Sequence, residues 1–96
     1  MREVERFNDE LRSAEAWVFA GGLRSPADAR VIRYREGEPQ ISDGAYVGGD
    51  EHLGGLTILA ATDMNEAMEW GRKLAQAITL PVEVRQFQGD VDSHLP

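Results

Sequence analysis

The first apolar positions of the chain, Val4, Phe7, Leu11 and Ala14, are spaced by three and four residues. That is one face of a 3.6-residue period, and it predicts an amphipathic helix from almost the first residue. Arg2, Glu3, Glu5, Arg6, Asp9, Glu10 and Arg12 occupy the opposite face. No Ser, Thr, Asp or Asn precedes the first periodic residue to cap it. The spacing then changes. Trp17, Val18, Phe19 and Ala20 form a short aromatic and β-branched run stopped by Gly21 and Gly22, which predicts a strand. Pro26 holds Ser25 out of helix, so residues 24–28 read as a loop.

Residues 30–34 alternate and are rich in β-formers, and residues 40–42 return after Glu36-Gly37-Glu38. A hairpin follows, with Gly37 at a positive-φ position. Glycines at 37, 44, 48, 49, 54 and 55 make the stretch between the hairpin and the next apolar run a loop by composition. Residues 56–61 are apolar almost without interruption, the pattern of a strand covered on both faces and central in its sheet. Asp63 and Glu66 have capping-box spacing. They open a second amphipathic helix marked by Met64, Ala67, Met68, Gly71, Leu74, Ala75 and Ile78. Pro81 ends it, and residues 82–87 alternate as a last strand. The polar residues 89–96 read as a mobile tail containing His94. The expected organisation is one α+β domain over residues 1–88, with both helices on one face of a sheet.

Composition narrows the chemistry. Ten Lys and Arg against 17 Asp and Glu give a net charge of −7, a field that repels nucleic-acid backbones and anionic membranes. The absence of cysteine removes disulfides, thiolate metal sites and a thiol nucleophile together. No apolar run approaches the roughly 20 residues of a membrane-spanning helix, and no signal segment opens the chain. A cytoplasmic protein is expected, with no nucleic-acid or membrane partner.

The most informative stretch is DGAYVGGDEHLGGL, residues 43–56. It resembles the signature of YCII-related proteins of the DGPF type, in which DGPF is followed by four variable positions, E, x and LGG. Asp43, Gly44, Glu51, Leu53, Gly54 and Gly55 match in register. AGGL at 20–23, NEAMEW at 65–70 and VEVRQF at 82–87 resemble flanking parts of the same family, so the similarity runs from Phe7 to Phe87. It implies a ferredoxin-like fold that pairs into a dimeric α+β barrel. It also implies a strand ahead of the first helix, which this chain lacks, so a partner chain or flanking residues are expected to cover the gap. Many relatives carry a His in the first helix and an Asp after the second, proposed as an acid–base pair. The corresponding positions are about Val4 and Leu74, which cannot transfer a proton. The resemblance therefore implies a homodimer that binds a small ligand or another protein without catalysing a reaction.

Several polar residues remain candidates for ligand contact. Asp43 reads either as a site carboxylate or as an Asx-turn residue beside Gly44. Tyr46 stands where the family has Phe; its hydroxyl faces a cleft, or the ring covers the core. Ala45 replaces the family's Pro and loosens the loop. Glu51 and His52 invite an acid–base or metal reading. A metal needs three or four ligands, and the only other histidine is His94, so no metal site or cofactor is expected. Arg85 shares a strand face with Glu83, and Arg33 shares one with Arg35. Either group could hold an anion or pair with a neighbouring carboxylate. Trp17 and Trp70 read as core or interface. The alternative to a binding domain is a small isomerase or lyase with Asp43, Glu51 or His52 as base, a reading carried by fold analogy.

Overall fold

A computed structural model of the chain describes residues 2–88. The element order is helix α1 (Arg2–Ser13), strands β1 (Trp17–Gly22), β2 (Arg30–Arg35), β3 (Glu38–Asp43) and β4 (Gly55–Leu59), and helix α2 (Met64–Ile78). A short 3-10 turn at Pro26–Asp28 follows Ser25, whose hydroxyl accepts from the Ala27 amide. The tail beginning at residue 89, with His94, lies outside the described residues. The chain divides into two compact units, residues 2–18 with 58–88 and residues 19–57.

The first unit holds both helices and, among the described residues, every buried side chain: Phe7, Leu11 and Ala16. Phe7 and Leu11 lie on the apolar face of α1, and Trp17, Leu59, Trp70 and Leu74 pack against them. The Phe7 and Trp70 rings meet edge to face, with centroids 5.9 Å apart and planes at 81°. α1 ends in a left-handed residue that is not glycine. Glu15 has φ +59°, its amide donates to the Arg12 carbonyl, and the Ala16 amide donates to the Leu11 carbonyl at 2.8 Å. This is the Schellman arrangement, and it brings Ala16 onto Leu11 to complete the core. Across the helices, Lys73 Nζ donates to Glu10 at 3.0 Å.

α2 starts as its capping spacing predicts. Asp63 accepts from the Glu66 amide at 2.8 Å. Glu66 turns back to the Thr62 amide and hydroxyl, one residue further out than the usual box. The helix closes on Thr79 at φ +56°, whose amide donates to the Ala75 carbonyl. The chain then passes along α2. A Cβ on Gly71 would fall 2.7 Å from Val84 Cγ2, so the glycine admits this close approach.

Residues 82–87 do not form the expected strand ladder. The alternation holds over residues 82–85, where Val82 and Val84 are half-buried and Glu83 and Arg85 exposed, while Gln86 and Phe87 are both exposed. No backbone hydrogen bond joins residues 80–88 to another described residue. Alternation shows which side chains turn inward, but a ladder also needs a neighbouring backbone. β4 likewise departs from the expected central position: among the described residues it pairs with β1 alone, and Leu56 is exposed.

The second unit contains the β2/β3 hairpin. Its antiparallel register places Ile32 opposite Ile41 and Tyr34 opposite Pro39. Glu36 and Gly37 both have positive φ, +53° and +79°. A two-residue turn of that kind matches the twist of the strands and fixes the register. Between β1 and β4, the Leu23 amide donates to the Gly54 carbonyl at 2.9 Å. The sheet structure is thus two separate two-stranded pairs, β1/β4 and β2/β3, with no closed barrel among the described residues. The coarse α+β expectation holds. No helix among them is long and apolar enough to cross a membrane.

Candidate functional site

Four of the five residues singled out from the sequence, Asp43, Tyr46, Glu51 and His52, lie at the end of β3 and in the loop leading to β4. Asp43 closes the hairpin. Its carboxylate lies 3.1 Å from Arg30 Nε, directly across the ladder. It is therefore engaged in a cross-strand ion pair, and both side chains are exposed. The turn beside it is made by Gly44, at φ +98°, whose amide donates to the Ala29 carbonyl at 2.8 Å.

Tyr46 does not cover a core. It is 73% exposed, and the Arg33 guanidinium lies 5.1 Å from its ring centroid. That contact places the hydroxyl-bearing ring beside a cation, an arrangement worth about 0.5–1 kcal/mol at an exposed position. Glu51 and His52 are exposed loop residues. His52 Nδ1 lies 3.3 Å from the Leu53 carbonyl oxygen. These four side chains make no hydrogen bond or ion pair with one another. No cluster of three His, Cys, Asp or Glu able to hold a metal occurs among the described residues.

The glycines of this stretch have a backbone role. A Cβ on Gly55 would sit 2.9 Å from the Gly21 carbonyl oxygen and 3.3 Å from Gly22 Cα, so β1 and β4 can approach only without a side chain there. Gly44 supplies a positive φ. Much of the 43–56 pattern is thereby explained by chain geometry.

Arg85, the fifth residue, belongs to the first unit. Its Nε pairs with Glu83, two residues back on the same exposed face of the extended segment. Val4 and Leu74, near which the sequence resemblance would place an acid–base pair, are half-buried apolar side chains on α1 and α2.

Sequence reasoning did not single out an open hollow of about 640 Å³ in the first unit. Ala16, Ala60, Thr62, Glu66, Glu69 and Trp70 contribute to its walls. Several of its polar groups already have partners. Glu66 accepts from Thr62, and Glu69 accepts from Arg72 Nε and Nη2 at 3.1 and 2.9 Å. The hydrogen bond from Arg72, reinforced by its charge, lowers the Glu69 carboxyl below the ordinary glutamate range and raises Arg72 in turn. Lys73 lies 5.2 Å from the Trp70 ring centroid and pairs with Glu10. The hollow joins residues far apart in the chain, and of its polar and aromatic wall residues the chain pattern marked Glu66, as part of the α2 cap, and Trp70.

Comparison with protein-family models finds no match. The search of curated proteins finds none either.

Proposed function

We propose that the chain is a YCII-related, non-catalytic small-ligand-binding or protein-interaction domain of ferredoxin-like type that works as a homodimer in the cytoplasm. The observation that carries this reading is the imbalance of apolar burial. Three side chains are buried among the described residues, while in the second unit Ile32, Tyr34 and Ile41 of the hairpin and Val47 and Leu53 of the following loop are each more than 60% exposed. An apolar hairpin face of this kind is stabilised by a covering surface, and a domain of this size gains little stability from its own core. Val4 and Leu74 support the non-catalytic part. Asp43, Glu51 and His52 lack the mutual orientation that a base and its positioning group require. A small ligand would contact the loop of Asp43, Tyr46, Glu51 and His52.

Sedimentation equilibrium over a range of concentrations tests the reading. A reversible dimer is expected. A cooperative monomer at every concentration overturns the homodimer. Turnover of a small-molecule panel that disappears in His52→Ala would replace the binding domain with an enzyme. Ligand-induced thermal shifts without turnover would support binding.

A further inference from the structure

In the segment 82–87, Val82 and Val84 both face α2 at Gly71, the intervening Glu83 is exposed, and the backbone has no hydrogen-bonded neighbour among the described residues. Glu83 and Arg85 stand two apart on the exposed face and pair with each other. We propose that this segment is an edge strand that pairs antiparallel with the same segment of a second copy, about a two-fold axis through Val84. The inference rests on the homodimer reading and adds to the hairpin face of the second unit a pairing edge in the first.

The register follows from pattern and charge. Residues directly opposite in an antiparallel pair point to the same side of the sheet. Both copies keep their valines on the side of α2 only if even positions face even positions, because a slip of one residue turns every side chain over. Three such registers are available near the centre of the segment. With Glu83 opposite Glu83 or Arg85 opposite Arg85, like charges meet on the two-fold axis. The third places Val84 opposite Val84. Glu83 then faces Arg85 of the second copy, and Arg85 faces its Glu83. Val82 lies opposite Gln86, and Pro81 opposite Phe87, which is 51% exposed in the single chain. The two opposite charges within each strand become a four-charge array across the dyad. Pro81, which lacks an amide donor, falls at the end of the ladder, where a proline is tolerated. The sequence is therefore self-complementary in this register alone.

Charge reversal tests the proposal, with circular dichroism confirming that each variant keeps its helices. Glu83→Arg and Arg85→Glu each set like charges opposite one another and are expected to weaken dimerisation about tenfold. An equimolar mixture of the two single variants restores opposite charges at both positions, as does the double reversal, and both are expected to recover wild-type association. Because the chain has no native cysteine, Val84→Cys gives an independent reading of register. Opposed residues lie within disulfide reach, about 4.5–5.5 Å between Cα atoms. An oxidised Val84→Cys dimer is expected, with no comparable product from Gln86→Cys. A dimer whose affinity ignores both reversals overturns this edge and leaves the homodimer standing. A wild type that stays monomeric overturns both. Slow hydrogen exchange of residues 82–87 in a monomer would assign the edge to a strand of the same chain and overturn the proposal.

Discussion

The two units solve the problem of stability in different ways. In the first, helix packing buries Phe7, Leu11 and Ala16 and surrounds them with Trp17, Leu59, Trp70 and Leu74. In the second, no side chain is buried, and order comes from a hydrogen-bonded ladder and a turn with two left-handed residues. Burial is cooperative and long-range, while a ladder with a good turn is local. A two-stranded hairpin in water is marginal by itself. The contrast assigns most of the intrinsic stability to the helical unit and makes the hairpin the part that gains most from a covering surface.

The sharpest test of that contrast is a pair of truncations. Leu11 is fully buried, and Leu11→Ala is expected to cost about 3 kcal/mol in chemical denaturation, enough to unfold much of a domain with so small a core. Ile41 is 67% exposed, and Ile41→Ser is expected to change the stability of the dilute protein by no more than about 0.5 kcal/mol. A large loss from Ile41→Ser at low concentration would show that the hairpin face is covered within the single chain.

Next in size is Gly71. The added methyl of Gly71→Ala meets Val84 Cγ2 at 2.7 Å. Overpacking of this kind costs about 1–3 kcal/mol, partly offset by about 1 kcal/mol of helix propensity. Thermal melts should show a loss, and Val84→Ala in the same chain should remove it by opening the space. An unchanged melting temperature for Gly71→Ala would mean that the 82–84 segment does not press on α2.

The left-handed positions divide the two units in a subtler way. Thr79 at φ +56° is a β-branched residue where glycine is favoured. Thr79→Gly is expected to stabilise the helical unit by about 1 kcal/mol. Gly37, at φ +79°, is the opposite case. Gly37→Ala should cost about 1 kcal/mol, and the effect should appear first as faster amide exchange across β2 and β3.

The smallest expected effect concerns protonation. Glu69 is exposed, and the Arg72 hydrogen bond and charge hold its carboxyl below the usual range. Between that lowered value and the ordinary one, the folded chain keeps Glu69 ionised while the unfolded chain protonates it. The stability it supplies is present above the unfolded value and lost as pH falls through the folded one. Carboxyl titration by NMR should show Glu69 moving toward the ordinary glutamate range in Arg72→Gln.

Much of the architecture is visible in the chain pattern because its causes are local. The three-and-four spacing of Val4, Phe7 and Leu11, the Asp63 cap and the turn at Gly37 all act over a few residues. The ladder that residues 82–87 lack was not legible, since alternation reports facing and a sheet needs a second backbone. β4 misled for a related reason: the apolar run at 56–61 implies cover on both faces, but among the described residues β1 alone is its neighbour. At the candidate site, the DG and LGG elements of the 43–56 stretch were conspicuous. Gly44 and Gly55 meet backbone requirements, and Asp43 closes an ion pair with Arg30. Composition could mark these residues as special without distinguishing a turn from a binding loop.

The Leu23–Gly54 hydrogen bond has a consequence for modularity. The chain departs and returns at one point, with 2.9 Å between the donor nitrogen and acceptor oxygen. Residues 24–53 are in this sense a cassette whose two ends are already joined. Closure entropy rises slowly with loop length, so the length of the cassette is only weakly constrained by the strands that carry it. An Asn-Gly turn in its place would make β1 and β4 a simple hairpin, leaving the helical unit with a shorter excursion to close and the exposed hairpin removed as a separable part.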